Sequence, residues 1–340
     1  MGIEICELRR KDEKLWDEFV FSSANSTFYH QIRWKYVIEN VYKHRSYYMI
    51  AKEDGEIRGI LPLFFIRNKA VSIPFAPYGG VCADDETVKK KLIEEAISVV
   101  RERGMRYLEL RNQEEESNSD FRTDYTYVTF IIPLYSDPDI LWRKTAKGAR
   151  RAVKKALREN VKISMGHEYL DDFYTIYAER NKELGTPVHS YLFFKHILSV
   201  FQDQVNIQVA EKEGKIIGAK FLLFFKDRII SGWAASDRRY RAISPNSLLT
   251  WEILRYGCEK GYAFFDFGRS EKDSGTFRFK RAWGGAIIKQ LYYQFYMHKT
   301  RNLPVLSRKS LKRRIFSNFW RKLPLPMTKV IGPHIRRNLP

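Results

Sequence analysis

The chain has 340 residues, of which 44% are hydrophobic and 15% aromatic, enough apolar material for two globular cores and too much for a disordered polymer. Its formal net charge is +20, and twelve Lys and Arg residues lie between Lys299 and Pro340 with no Asp or Glu among them, so the tail is far more basic than the body. Cys6, Cys82 and Cys258 form no CxxC pair and no disulfide framework, which suits a reducing compartment. The opening MGIEICELRRKDEKLW is too charged for a signal peptide, and no apolar run reaches the roughly 18 residues that cross a bilayer. We therefore expect a cytoplasmic protein or one peripheral to the inner face of a membrane. None of the seven histidines has metal-ligand spacing, and no metal or tightly bound cofactor is expected.

In chain order, YYMIAKEDGEIRGILPLFF, from Tyr47, reads as a strand, a glycine turn and a second apolar strand. A helix follows Asp84 and Asp85, which are good N-cap residues, and ends at Gly104, a C-cap. The strand YLELR then carries Glu109 and Arg111. LWRKTAKGARRAVKKALREN reads as a helix over 142–158. Trp142, Ala146, Ala149, Val153 and Ala156 fall on one face, and Lys147, Arg150, Lys154 and Arg158 on another. From Arg143 to Arg158 there are eight basic residues and no acid; such a run is most often solvated and otherwise steers a polyanion such as tRNA.

From Asn206 the pattern begins again. NIQVAEKEGKIIGAKFLLFF is a second hairpin, and Ala210, Gly214, Ile216 and Gly218 align without gaps on Ala51, Gly55, Ile57 and Gly59. A second helix has Ser244 as N-cap and Pro245 at its first position. Gly261 and Asp266 of EKGYAFFDFGR match Gly104 and Glu109. A duplicated α/β unit with mixed sheets is the natural architecture. The expected divisions are 1–141, 142–298 (opened by the 142–158 helix) and a basic tail, 299–340.

The segment FDFGRSEKDSGTFRFKRAWGG, 265–285, interleaves aromatics with charges. Read as extended chain, it turns Arg278 and Lys280 one way and Phe277 and Phe279 the other. That side is either a cation pair aimed at a ligand or an ordinary solvated face. Asp266 is one polar residue among apolar neighbours. It is a proton-acceptor candidate if burial raises its pKa, or else a structural hydrogen-bond acceptor for a loop or for Arg269. Glu109 carries the same ambiguity. Arg269, beyond the strand's carboxyl end, suits a phosphate or carboxylate. The segment RRYRAISPN, before the second helix, lacks the two glycines of a CoA pyrophosphate turn, although the helix start at Ser244 and Asn246 suits an anion. In the tail, Leu311, Ile315, Phe316, Phe319, Trp320 and Leu323 share one helical face. That pattern fits either a helix lying on an anionic membrane through 307–323 or one packed on the body with a solvated basic face.

The RNKELGTPVHSYLFF segment, SPNSLLTWEIL and FDFGRS…GTFRFKRAWG together resemble Fem-type proteins, in particular the FemAB-like group associated with exosortase and exopolysaccharide loci. The resemblance runs over about 26–297 and is most specific in 260–285. It implies tandem duplicated GNAT-like domains with mixed sheets, to which the residues of the tail add a basic C-terminal helix. The activity it implies is transfer of an acyl or aminoacyl group onto an amine of an envelope or exopolysaccharide precursor, lipid-linked in some members, from aminoacyl-tRNA. By resemblance Lys280, after Phe279, stabilises charge on the reacting acyl group. Gln31, Trp34 and Lys35 of FYHQIRW, with Tyr78 and Gly79 of APYGGV, line the precursor groove. Asp266 is the accompanying catalytic candidate, and Arg269, Arg278, Phe279, Ser244, Asn246, Glu109 and Arg111 are the remaining binding candidates. The chain departs from the pattern in reading ELRNQ where IDP is usual and in lacking the helical hairpin that some members use on tRNA. Two other readings remain: an acyl-CoA-dependent N-acyltransferase on a small amine or amino sugar, and a non-enzymatic polyanion- or membrane-binding protein.

Overall fold

The computed structural model describes residues 2–116, 118–300 and 311–339; the part of the tail reading that concerns 301–310 lies outside the described residues. The chain forms two compact units, one of 1–127 with 290–306 and 337–340, the other of 128–289 with 307–336.

The first unit is built on an eight-stranded sheet. Its central hairpin joins Arg45–Glu53 to Glu56–Ile66. Asp54 and Gly55 both have positive φ, 49° and 88°, as the tightest hairpin turn requires. The helix Glu86–Glu102 starts where Asp85 accepts hydrogen bonds from the amides of Thr87 and Val88. Its Val88, Leu92, Ala96 and Val100 pack on Met49, Ala51, Leu61 and Leu108 of the sheet. Gly59 leaves room for that helix, since a Cβ there would lie 2.7 Å from Val88.

The second unit repeats this plan. Val205–Lys212 and Lys215–Phe225 form its hairpin, with Glu213 and Gly214 again at positive φ. The helix Pro245–Glu259 covers one sheet face through Leu248, Leu249 and Ile253. Gly218, the repeat mate of Gly59, faces Leu249. On the opposite face Phe173, Phe194, Phe221 and Trp233 form a cluster of edge-on and tilted rings 5.0–5.7 Å apart.

The expected duplication is present, but the units do not follow chain order. The strand Tyr127–Pro133 pairs with Phe264–Asp266 in the second sheet, Asp266 opposite Ile131. Tyr292–Met297 lies in the first sheet between Tyr107–Asn112 and Phe121–Asp124. Each half thus gives its closing strand to the other half's sheet. Residues 128–141 sit in the second unit and 290–298 in the first, where a division at 141 and 298 puts them the other way round. Strand partners chosen this far apart in sequence leave no local trace.

Two further readings change. The segment 142–158 is not one helix but two, Pro138–Lys144 and Lys147–Arg158. The break is fixed in place: the Thr145 hydroxyl bonds Leu141 O and accepts from the Gly284 amide, and the Ala146 amide donates to Ala282 O. The stretch 275–281 is helical rather than extended, with Ser274 as N-cap accepting from the Phe277 amide.

Separate fragments 1–141 and 142–298 are each expected to fail to fold, because each would hold one strand that belongs in the other sheet and lack one of its own. Circular dichroism and amide dispersion of the two fragments, alone and co-expressed, check this. A folded 1–141 on its own would contradict the exchanged pairing.

Candidate functional site

In the second unit, Arg228–Ser236 runs parallel to Phe264–Asp266 for three residue pairs, ending at Ile230 and Asp266. Beyond that point Arg228–Ser236 continues with ladder bonds only to Lys215–Phe225 among the described residues, and its register slips at Gly232. A bulge of this kind bends the strand and re-aims its backbone. The two strands therefore part at their carboxyl ends, which is where open α/β sheets bind ligands.

The parted strand end is held by side chains. Lys280, 7% exposed, reaches out of the helix Gly275–Arg281 and donates from Nζ to the carbonyls of Phe267, Gly268 and Arg269 at 2.8, 2.9 and 3.2 Å. Asp266 is fully buried; its Oδ1 accepts from the Thr129 hydroxyl at 2.6 Å and the Gly268 amide at 2.7 Å. The structural-acceptor alternative for Asp266 thus fits its surroundings, with the loop amide as partner. Gly268 has φ +65°, and a Cβ there would lie 3.4 Å from Ser231 O. Arg278 does not share a side with Lys280: in the helix it turns outward, and its guanidinium bonds Asp273 O. Phe279 packs against Phe267 and Trp283. Ser244 stands at the start of the helix Pro245–Glu259 as expected, but its side chain caps no amide. The Asn246 amide nitrogen donates to Ser236 Oγ at 2.9 Å. Arg269 is half-buried, and its charge bears on Lys280.

Sequence reasoning missed Lys220. It lies in Lys215–Phe225, 3% exposed, on the face that meets the helix Pro245–Glu259. Among the described residues its one hydrogen bond goes from Nζ to the Thr250 hydroxyl at 2.8 Å, and Thr250 donates in turn to Asn246 O. Both lysines lie near Phe267, Lys220 Nζ 5.9 Å and Lys280 Nζ 5.8 Å from its ring centre. The available signal was a lysine inside IIGAKFLLFF, a run apolar on both faces, as strands buried on both sides are.

Burial brings Lys280 down to about 7, against the opposing pull of the Asp266 carboxylate. Burial and then the charge on Lys280 bring Lys220 down to about 7. Three carbonyls satisfy the three N–H groups of an ammonium at Lys280. A single hydroxyl partner suits a neutral amine at Lys220. The arrangement thus places two buried lysines, each brought down to about 7, near one aromatic ring.

The corresponding place in the first unit is filled. Lys69–Val71 runs parallel to Tyr107–Asn112 as far as Val71 and Glu109. Beyond it, Arg111 bonds Glu109 through Nε and Nη2 at 2.9 and 2.7 Å and Ile73 O and Ala76 O through Nη1, and the Gly79 amide donates to Arg111 O. Both Glu109 and Arg111 are 2% exposed, so this pair ties a loop down instead of facing a ligand. The expected groove residues are packed as well. Trp34 is fully buried against Phe28 and Tyr29, and Tyr78 lies edge-on to Tyr29. The Gln31 amide bonds Phe28 O. Lys35 is half-buried, its Nζ 5.6 Å from the Tyr48 ring centre.

Comparisons with known proteins bear on the fold. Residues 143–281 match the acetyltransferase (GNAT) domain family, a span that contains Lys220, Asp266 and Lys280. A lipid II:glycine glycyltransferase of Staphylococcus epidermidis is 29% identical over 96 residues, 26% of this chain and 23% of that protein; the match thus spans about a quarter of the curated relative's length. A crystal structure of FemX superposes with a TM-score of 0.65 at 15% identity, covering 87% of this chain and 98% of that one. A tandem GNAT protein from the clavulanic acid biosynthesis pathway superposes at 0.54 with 11% identity, covering 89% and 100%. The tandem GNAT-like fold expected from the sequence is thereby established.

Two lysines with folded-state pKa values near 7, against about 10.4 unfolded, leave the unfolded chain holding more protons between those limits. Stability therefore rises with pH across that window. Lys220→Met is expected to stabilise the protein relative to wild type at pH 6 and to lose most of that advantage by pH 9. Denaturant unfolding at the two pH values checks this, and an advantage that does not change with pH would contradict it.

Proposed function

We propose that this chain, a FemAB-like tandem-GNAT protein, transfers an acyl or aminoacyl group onto an amine of a cell-envelope or exopolysaccharide precursor. The observation that carries the reading is the parted strand pair of the second unit with Lys280, Lys220 and Asp266 around it. The equivalent place in the first unit is filled by Arg111.

In such a transfer the acceptor nitrogen attacks the donor carbonyl, an amide forms and the donor's ester or thioester bond breaks. The nitrogen's proton ends on the leaving group. A positive charge near the reacting carbonyl stabilises the oxyanion through space, which is the part we give to Lys280, whose three N–H groups are taken by backbone carbonyls. With its three N–H groups on the carbonyls of 267–269, it also fixes the backbone that the donor lies along. Lys220, brought down to about 7, is suited in its unprotonated form to take the proton from the attacking nitrogen and return it to the leaving group.

Aminoacyl-tRNA is the favoured donor. A CoA pyrophosphate is usually held by bare amides of a glycine turn before the main helix. Here Arg238–Ile243 is a 3-10 helix, with the Tyr240 and Ser244 amides spent on Asp237 O and Arg241 O. The helix Lys147–Arg158 offers Arg151, Lys154 and Arg158 around a surface depression of 420 Å³, a place for polyanionic RNA backbone. The match to an acetyltransferase domain keeps acyl-CoA as the second reading. A lipid-linked acceptor is the finer proposal on the acceptor side, in keeping with the relative's action on lipid II.

Mass spectrometry of acceptor panels, lipid-linked and amino-sugar, offered charged tRNA or acetyl-CoA tests this. Transfer from charged tRNA is expected, with Lys280→Ala lowering kcat about 100-fold or more, the scale for loss of an oxyanion-stabilising group. Transfer from acetyl-CoA alone would favour the second reading, and none from either donor would contradict the first.

A further inference from the structure

The two C-terminal helices, Leu311–Lys322 and Leu325–Arg336, have inner faces that the second unit accounts for. Trp320 and Thr328 are each 1% exposed. A Cβ at Gly332 would lie 2.9 Å from Val188 and 3.5 Å from the Trp320 ring. Arg321 Nε donates to Glu183 O, and Arg336 Nε reaches His189 Nε2 at 3.1 Å. The helices are therefore packed on the body, as one of the two sequence readings had it.

Their outer faces carry exposed apolar side chains as well as the basic ones which that reading supposed. Ile315 and Phe319 are 63% and 60% exposed, and Met327, Val330 and Ile331 are 45%, 67% and 37% exposed. Spacings of four, and of three and four, put each set in a row along its own helix. Trp320 and Gly332, whose close approach joins the helices, are the chain neighbours of Phe319 and Ile331. Single exposed apolar side chains are ordinary on a protein surface, but rows of them mark a docking face. From 311 to 336 there are seven Lys and Arg and no acid, with Arg314, Arg321 and Lys322 exposed.

We propose that this outer face docks on an anionic lipid surface, with Ile315, Phe319, Met327, Val330 and Ile331 entering the headgroup boundary and Arg314, Arg321 and Lys322 beside the lipid phosphates. One sign of charge beside an apolar row is the pattern of a helix lying in that boundary, and anionic headgroups are its complement. No described helix is long and apolar enough to cross the bilayer, so the contact is peripheral. The inference rests on the transferase reading only for its purpose, which is to hold the protein where a lipid-linked acceptor lies.

Flotation of the full chain with vesicles of phosphatidylcholine, alone or mixed with phosphatidylglycerol, tests it without donor or acceptor. Binding is expected to the mixed vesicles, at least tenfold tighter than to phosphatidylcholine and weakened by salt, since each basic side chain near the surface adds about fivefold. The double variant Phe319→Ser, Val330→Ser changes two exposed positions and is expected to lower vesicle binding at least tenfold with an unchanged thermal transition. Arg314→Gln with Lys322→Gln is expected to weaken the preference for the anionic vesicles severalfold. Equal binding to both vesicles, no binding, or binding unaffected by Phe319→Ser, Val330→Ser would overturn the proposal. So would a concentration-dependent dimer in gel filtration that the same double variant abolishes, because the face would then belong to a second copy.

Discussion

Two parallel strands that stop pairing partway must satisfy their freed backbone groups in some other way, and in the second unit a buried ammonium does so. Lys280 takes three consecutive carbonyls, Phe267 O, Gly268 O and Arg269 O, and Asp266 takes the Gly268 amide. A carbonyl left unpaired away from water costs about as much as a lost hydrogen bond, so without these contacts the strand end would close onto its neighbour or unravel. The helix Gly275–Arg281 exists to deliver that lysine, and the fully buried Trp283 just after it anchors the delivery in the core. The position of the site thus follows from one solvation requirement.

The first unit shows the same topology with the requirement met differently. After Val71 and Glu109 the gap is closed by Arg111, which binds Glu109 and two loop carbonyls at once. An arginine whose donors are spent in this way is a cross-link. Duplication followed by this divergence gives one unit whose strand end is tied by a lysine and one whose strand end is tied by an arginine. The electrostatics diverge in step: the sealed unit neutralises its buried cation with a carboxylate two residues away. The other unit holds two buried lysines near a single aspartate, and burial brings both down to about 7.

Much of this plan was legible in the sequence. The glycines that align between the halves do so for physical reasons: Gly55 and Gly214 take left-handed turns, and Gly59 and Gly218 admit a helix against the sheet. Asp266 and Lys280 stood out as polar residues in an aromatic setting, and the structure brings both to the parted strands. The failures share a cause, which is contact at a distance. Which sheet Tyr127–Pro133 and Tyr292–Met297 join depends on partners over a hundred residues away. Trp34 and Tyr78 read as groove lining because aromatics suit grooves, and they suit cores equally well. Arg278 and Lys280 were paired by a strand's alternation when the local chain is a short helix whose one advance signal was Ser274 as its cap. Lys220 went unnoticed because a lone lysine in a strand ordinarily lies at a solvated edge.

Hydrogen–deuterium exchange of the full chain with and without a charged-tRNA analogue carrying a stable amide linkage tests the central claim most directly. The account expects new protection along Ser231–Ser236 and Phe267–Ser270, the two strand ends that part, with little change at Ser72–Gly79 of the sealed unit. Protection confined to the helix Lys147–Arg158, or appearing at Ser72–Gly79 instead, would contradict the assignment of the donor site to the parted strands.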